Sequence, residues 1–219
     1  MATKAVLTIT SKNYGAWALR GWLMARLAGL DFQERVVSPD DPAMKAEMLL
    51  LASSMRVPAL QVGAIHMWDT LAIGEYLNEV RPEAGLLPRD QGARAHCRSI
   101  CGEMHSGFSA LRSSLPVNIK ADFPGFKVWS RAQADVDRIV EIWSECLQAY
   151  GGPYLFGGAP CMADAMYAPV VTRFLTYHVA LPRACADYCA RIMALPAMRE
   201  WVAAAKREPE EIDELDAEF

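Results

Sequence analysis

Residues 57–70 hold the sequence feature that most restricts the fold of this chain. A strand-like run begins at Val57-Pro58, and Asp69-Thr70 opens a helical pattern eleven residues after the proline. Proline donates no ladder hydrogen bond, so in strands it is confined to edges and first residues. If the Val57–Pro58 bond is cis, the N–H and C=O of Val57 can pair with an extended peptide. Amides at the following helix N-terminus attract a carboxylate. The feature therefore predicts a wall that binds a small anionic peptide.

The first 80 residues alternate between strand and helix patterns. Strands are predicted at 5–10, 32–37, 58–62 and 65–68. Helices are predicted at 15–29 and 69–80, and a further helix after the second strand ends at about residue 54. Gly63-Ala64 places glycine first in a two-residue loop, as a type II′ hairpin turn requires. The order βαβαββα predicts a compact α/β domain over residues 1–80.

A linker with two prolines and a glycine, residues 81–89, separates this domain from a helical half. Apolar residues recur with helical period in the second half. The predicted helices cover about 90–115, 129–150, 161–177, 183–194 and 197–206. The chain is thus predicted to be an α/β domain followed by an all-helical domain, residues 90–207. Residues 208–219 carry seven acidic and no basic side chains and predict a solvated tail.

Composition excludes several classes of function. The net charge of −4 argues against a nucleic-acid partner. No apolar run approaches the ~20 residues that span a bilayer, and no leader is recognisable, so we expect a cytoplasmic protein without membrane contact. The six cysteines lack zinc-type spacing, and the pairs Cys97/Cys101 and Cys185/Cys189 share apolar helical stripes. Core packing is therefore predicted for the cysteines, and no metal site.

Several motifs together resemble the soluble glutathione S-transferases over nearly the whole chain. Beside the βαβαββα order with Val57-Pro58, the matching segments are Trp17–Arg20, Asp69–Leu77 and Met162–Ala165. The last one matches the capping segment of the core helix, so Asp164 is interpreted as structural. The first loop and helix are most similar to zeta-like bacterial members, which include maleylacetoacetate isomerases. The resemblance implies a thioredoxin-like N-terminal domain and glutathione as co-substrate.

The resemblance also implies how glutathione is held. The main chain of Val57, beside Pro58, would pair with the cysteinyl portion, while Asp69 and Thr70 would hold the γ-glutamyl end. Helix capping by Asp69 and Thr70 is the alternative. Arg56 either reaches the ligand or lies on the surface.

Thiol activation is assigned to the turn between the first strand and the first helix. Serine-type members keep their activating hydroxyl where this chain has Asn13, and Tyr14 follows it. Gly15 and Ala16 occupy places where small hydroxyl or thiol residues are common. We predict Asn13 as the thiol-activating residue, Tyr14 as the second candidate and Ser11 as the third. Turn, cap or surface roles remain the alternatives for these residues.

The electrophile is expected beside the sulfur, between the domains. By resemblance, the candidate lining residues are Met104, His105, Phe108 and Arg112, with Arg173–Tyr177 as the opposite wall. Core packing is the alternative for Met104 and Phe108, and a surface or dimer-interface role for His105 and Arg112.

The sequence therefore predicts a homodimeric glutathione transferase that acts on a small electrophile. Two alternatives stay open. One is a glutathione-dependent cis–trans isomerase of a maleyl-type diacid, with Arg20, Arg112 or Arg173 binding the carboxylates. The other is a binding protein that kept the fold and lost turnover, since Gly15 and Ala16 carry no hydroxyl.

Overall fold

Four strands form one mixed sheet in the N-terminal half. The computed structural model describes residues 5–37 and 57–209, so Arg56 and the predicted second helix lie outside the described residues. The strands are β1 (Ala5–Ile9), β2 (Phe32–Val36), β3 (Ala59–Val62) and β4 (Ile65–Trp68). Their order is β2-β1-β3-β4. Strand β2 runs parallel to β1, and the other two pairs are antiparallel.

Strand β1 lies between β2 and β3 and buries every second side chain. Ala5, Leu7 and Ile9 are buried, and Leu7 lies opposite Glu34 on one side and Leu60 on the other. This period of two is that of a strand with one face in the core. Its carboxyl end leads directly into the turn that precedes the first helix.

The described residues contain eight α-helices and one short 3₁₀ turn. They are α1 (Ala16–Leu27), α2 (Thr70–Val80), α3 (Gln91–Ser106), α4 (Ser109–Ser114), α5 (Ser130–Tyr150), α6 (Met162–Thr176), α7 (Arg183–Ala194), α8 (Pro196–Ala205) and the 3₁₀ turn Pro82–Ala84. The predicted fold class, a thioredoxin-like domain followed by a helical domain, is confirmed. None of the described helices is long and apolar enough to cross a bilayer.

The helix predicted over residues 90–115 is in fact two helices, α3 and α4. Phe108 adopts a left-handed φ of 59°, which ends α3, and the Gly107 N–H closes the last turn on Glu103 O at 2.8 Å. Arg112 donates to the carbonyls of Gly107 and Met104 and thereby caps α3 from the next helix. The apolar stripe runs on across the break, which is why periodicity alone does not show it.

A single apolar core joins the two halves of the chain. Helix α1 packs against α2 on one side and against α6 and α8 on the other. Gly74 of α2 permits this packing: a Cβ there would lie 2.8 Å from Met162 Cε and 2.9 Å from Met24 Sδ. The turn before α1 is consequently placed where the two domains meet.

Asp164 is a buried structural residue, as interpreted from the sequence. It caps α6 by accepting from the Cys161 N–H at 2.8 Å, and it also accepts from the Leu155 N–H and the Tyr188 hydroxyl, both at 3.1 Å. A carboxylate with three donors in the core ties α6 to α7 and to the preceding loop.

The six cysteines are buried free thiols. Burial raises the pKa of Cys146 and of Cys189 to about 12. The residues that the structure describes contain no group of side chains suited to a metal ion.

Candidate functional site

The predicted peptide-binding wall is held in place by helix α1. The Val57–Pro58 bond is cis. Pro58 is buried against Gly21, where a Cβ would lie 2.7 Å from Pro58 Cγ, so only glycine admits the proline ring this closely. Within residues 5–37 and 57–209, no protein group hydrogen-bonds to the N–H or C=O of Val57. The main chain of Val57 is thus open to an extended ligand.

Asp69 and Thr70 at the start of α2 differ in whether helix capping explains them. Asp69 caps the helix: its Oδ1 accepts from the N–H groups of Leu71 at 2.8 Å and Ala72 at 3.4 Å. Its φ of 80° is unusual for a residue with a side chain, and such strain concentrates at ligand clamps. Thr70 is fully buried, and its Oγ1 has no partner in the described part of the chain. Capping therefore explains Asp69 and leaves the Thr70 hydroxyl unexplained.

Trp17 contacts His105, Arg20 and Arg112, and His105 in turn contacts Asp69 at the start of α2. His105 Nε2 lies 2.5 Å from Asp69 Oδ2, and the His105 ring meets the Trp17 ring edge to face at 5.1 Å. The guanidinium carbons of Arg20 and Arg112 lie 4.3 and 4.7 Å from the Trp17 ring centroid. These contacts bring residues of α1, α3 and α4 to the N-terminus of α2.

Three arginines, Arg20, Arg112 and Arg173, place positive charge at and near Trp17. Arg20 is fully buried; its Nε donates to Met166 O at 2.7 Å, while both terminal nitrogens lack a partner among the described residues. Arg112 and Arg173 donate to main-chain carbonyls. Burial, followed by the charges of Arg112 and Arg173, lowers the pKa of Arg20. The cluster therefore favours an anionic partner.

Asn13 is enclosed by the segment that follows α4. Its side chain is fully buried; Nδ2 donates to Asn118 Oδ1 at 3.0 Å, and Oδ1 accepts from the Lys120 N–H at 2.9 Å. Its main-chain oxygen accepts from the Ile119 N–H at 3.3 Å. One of the two amide N–H groups of Asn13 is therefore occupied by Asn118.

The rest of the turn shows why position 15 carries no hydroxyl residue. A Cβ on Gly15 would lie 2.2 Å from the main-chain oxygen of Ser11, so residue 15 accommodates no side chain. Ala16 is buried at the first position of α1, and Tyr14 is half-buried. Among the described residues no side chain caps helix α1, so the amides of its first turn lack a side-chain acceptor.

The predicted lining residues divide into two groups. His105 and Arg112 reach Trp17, as described above. Met104 and Phe108 belong to the core, with 0 and 7% of their surface exposed. Of the predicted glutathione-binding residues, the structure brings Val57 and Pro58 to one side of α1, and Asp69 and Thr70 to the start of α2.

Comparison with known proteins gives matches over both domains. The model for the glutathione S-transferase N-terminal domain matches residues 14–80, and that for the C-terminal domain matches residues 126–204. The maleylacetoacetate isomerase of Rattus norvegicus is 30% identical over 183 residues, which is 82% of each chain. The chain belongs to the glutathione S-transferase family.

Other glutathione S-transferase relatives extend this result. Glutathione S-transferase 1 of Dianthus caryophyllus is 29% identical over 163 residues, or 74% of this chain and 73% of its own. A Burkholderia glutathione transferase homologue superimposes with a TM-score of 0.71 at 23% identity, over 94% of this chain and all of the other. Maleylacetoacetate isomerase from Anaeromyxobacter dehalogenans gives a TM-score of 0.66 at 23% identity, over 95% of each chain. Family membership confirms the prediction of a glutathione transferase-type enzyme.

Two features of the site are not predicted from the sequence of this glutathione S-transferase. One is the contact of Trp17 with His105, Arg20 and Arg112, and the other is the contact of Glu208 with the turn. Arg20 carries a visible signal, because it is a charge in the middle of the otherwise apolar run Ala16–Leu23. Glu208 has none: it is the first of seven acidic residues, yet its carboxylate accepts hydrogen bonds from the turn at residues 11–13. The expectation of a solvated tail from residue 208 therefore does not hold for Glu208.

Proposed function

We propose that this protein binds glutathione across the Val57 main chain and the start of α2, and that it activates the thiol for attack on a small electrophile. The observation that carries the proposal is the buried Thr70 hydroxyl, which has no partner within residues 5–37 and 57–209. An unsatisfied buried polar group is costly unless a ligand completes it. The γ-glutamyl carboxylate, bound at the N-terminus of α2, supplies the missing acceptor.

The ammonium group of the γ-glutamyl end requires a carboxylate. Asp69 provides it through Oδ2, which His105 already contacts. Bound glutathione therefore shares or takes over this oxygen, and His105 lies over the same end of the ligand.

Thiol activation in this proposal depends on the start of α1. The thiolate is the reactive form, and helix N-termini stabilise it. The amides of the first turn of α1 have no side-chain cap among the described residues, and in this proposal they are the donors that sulfur meets. Tyr14 remains the second candidate donor by its position in the turn, whereas Asn13 acts by fixing the turn through Asn118 and Lys120.

Replacing Thr70 with valine tests the binding mode. Because the hydroxyl has no partner in the part of the chain that the structure describes, we expect T70V to leave the stability of the ligand-free protein unchanged or raised. Loss of a hydrogen bond to a charged group, worth about 1.5–3 kcal/mol, should weaken glutathione binding by about 10- to 100-fold in calorimetric titration. T70S keeps the hydroxyl and serves as the matched control. Equal affinity of T70V and the wild type would refute the binding mode.

A second candidate is glutathione-dependent isomerisation of a maleyl-type diacid. The positive charge around Trp17, together with relatives that are maleylacetoacetate isomerases, favours an anionic electrophile. The thiolate would add to the double bond, permit rotation and leave again, so no group is consumed. Turnover of maleylacetone but not of a chloro-aromatic identifies the isomerase, and the reverse result identifies the transferase. Glutathione binding without thiolate formation identifies a non-catalytic binding protein.

We also propose a cytoplasmic homodimer, as the sequence predicts. The outer strand β4 supports self-association, because Ile65 and Trp68 are 51% and 37% exposed. Light scattering gives the mass directly, and a monomer at micromolar concentration contradicts the proposal.

A further inference from the structure

The segment after α8 returns to the turn that precedes α1. We propose that Glu208 is a positioning residue of the active site, which fixes the main chain of residues 11–14. This inference rests on the proposed function, in which that turn leads into the thiol-activating start of α1.

The carboxylate of Glu208 collects three donors from the turn. Ser11 Oγ donates to Oε2 at 2.7 Å, the Lys12 N–H donates to Oε1 at 2.6 Å, and the Asn13 N–H donates to Oε2 at 3.0 Å. Ser11 Oγ in turn accepts from the N–H groups of Asn13 at 3.0 Å and Tyr14 at 3.2 Å. Since those two amides occupy the acceptor side of the hydroxyl, its proton points at Glu208. These hydrogen bonds hold the turn in one arrangement, in which the Glu208 carboxylate is the acceptor for the Ser11 hydroxyl and for two main-chain N–H groups.

The main chain of Lys12 is held from two sides, and the main chain of Glu208 is held by Lys120. Trp201 of α8 donates its Nε1–H to Lys12 O at 3.0 Å, while Glu208 accepts from the Lys12 N–H. Trp201 is fully buried, and its ring centroid lies 5.2 Å from that of Trp22 in α1. The Lys120 ammonium donates to Glu208 O. The end of α8 and the turn are thus held as one unit.

The position of this turn determines where α1 begins. The Gly15 N–H donates to Ser11 O at 3.0 Å. A shift of Ser11 therefore moves Gly15, the residue that directly precedes α1. Catalytic donors misplaced by about 1 Å lose much of their effect. Removing Glu208 should therefore weaken stabilisation of the thiolate without removing any group that touches it.

The sign of the effect separates positioning from simple charge. A carboxylate close to the thiolate disfavours ionisation, so removing its charge would by Coulomb interaction alone lower the pH at which bound glutathione ionises. Positioning predicts the opposite direction, because the displaced turn offers weaker donors. The direction of the shift therefore decides between the two.

The experiment compares wild type, E208A and E208Q by ultraviolet difference titration of bound glutathione. We expect E208A to raise the ionisation midpoint by about one pH unit, a tenfold lower thiolate-to-thiol ratio at fixed pH. E208Q keeps one acceptor oxygen and should lie between E208A and wild type. Affinity for S-methylglutathione, which has no thiol to ionise, should change less than about twofold in both variants.

Two truncations provide a matched pair, one ending after Pro209 and one after Arg207. The first keeps Glu208 and should behave as wild type, and the second should behave as E208A. Amide hydrogen exchange at Lys12 and Asn13 should rise about tenfold in E208A, with other protected amides unchanged.

Two results overturn the inference: a midpoint that falls or stays constant in E208A, or equal loss in both truncations. A wild-type protein that forms no thiolate overturns the proposed function instead, and hydrogen exchange then still reports whether Glu208 holds the turn.

Discussion

Replacing Asn13 with alanine separates the two roles that this residue can have in the turn. The side chain is fully buried and makes two hydrogen bonds, to Asn118 at 3.0 Å and from Lys120 at 2.9 Å. Removing one partner of a buried hydrogen bond costs about 1–3 kcal/mol. Two such losses, with the small cavity, give a decrease of about 3 kcal/mol in the free energy of unfolding. For a chain of this size, the melting temperature should fall by about 6–12 °C.

The same variant should alter thiol ionisation only slightly. If Asn13 acts through the turn, Glu208 and Ser11 still hold the main chain, and the ionisation midpoint of bound glutathione moves by less than about half a pH unit. A direct hydrogen bond from Asn13 to sulfur would give the opposite pair of results. It would contribute about 1.5–3 kcal/mol, or one to two pH units of the midpoint, and little to the stability of the ligand-free protein.

Denaturant unfolding and ultraviolet difference titration measure the two quantities on the same preparations. Asn13→Asp is the informative control: it keeps an acceptor for the Lys120 N–H but sets a carboxylate oxygen against Asn118 Oδ1, which also accepts from the Ala121 N–H at 3.3 Å. The added negative charge should raise the midpoint. A large rise of the midpoint in N13A with unchanged stability would refute the positioning role assigned to Asn13.

Two further substitutions test how the turn and the core support the site. Gly15→Ala places a Cβ 2.2 Å from Ser11 O, so we expect a loss of about 3 kcal/mol in unfolding experiments together with loss of thiolate, and a variant as stable as wild type would show that the turn adapts freely. Asp164→Ala removes the acceptor of three buried donors and should cost about 4 kcal/mol; Asp164→Asn, which keeps one acceptor oxygen, should cost less, and equal losses would contradict the hydrogen-bond account.

The proposed peptide-binding half of the site can be proposed from sequence because its signals are local. Val57-Pro58 and Asp69-Thr70 lie within 14 residues, and each has a conformational meaning of its own. Proline at the first position of a strand and an acid at a helix start act through their immediate neighbours. The structure then adds what sequence does not contain, namely that Gly21 makes room for the Pro58 ring and that the Thr70 hydroxyl has no partner among the described residues.

The turn proposed for thiol activation depends on partners that are remote in sequence. Asn13 bonds to residues 105 and 107 positions away, and Glu208 bonds to Lys12 at a separation of 196. No period or short motif relates such positions, and an acidic residue in an acidic segment gives no sign of a specific contact. The break between α3 and α4 was missed for a similar reason, because it depends on the capping of α3 by Arg112 and on the left-handed φ of Phe108.

The absence of a hydroxyl at positions 15 and 16 acquires a different meaning in this context. From sequence alone, Gly15 and Ala16 suggest a lost activating group. In the structure, the conformation of residue 15 excludes any side chain, since the clash is with main chain and not with a movable group. The shape of this turn is maintained by Glu208 and Asn13. Under the proposed function, reactivity therefore depends more on the geometry of this turn than on the identity of any one donor in it, and restoring a serine at position 15 should abolish thiolate formation instead of enhancing it.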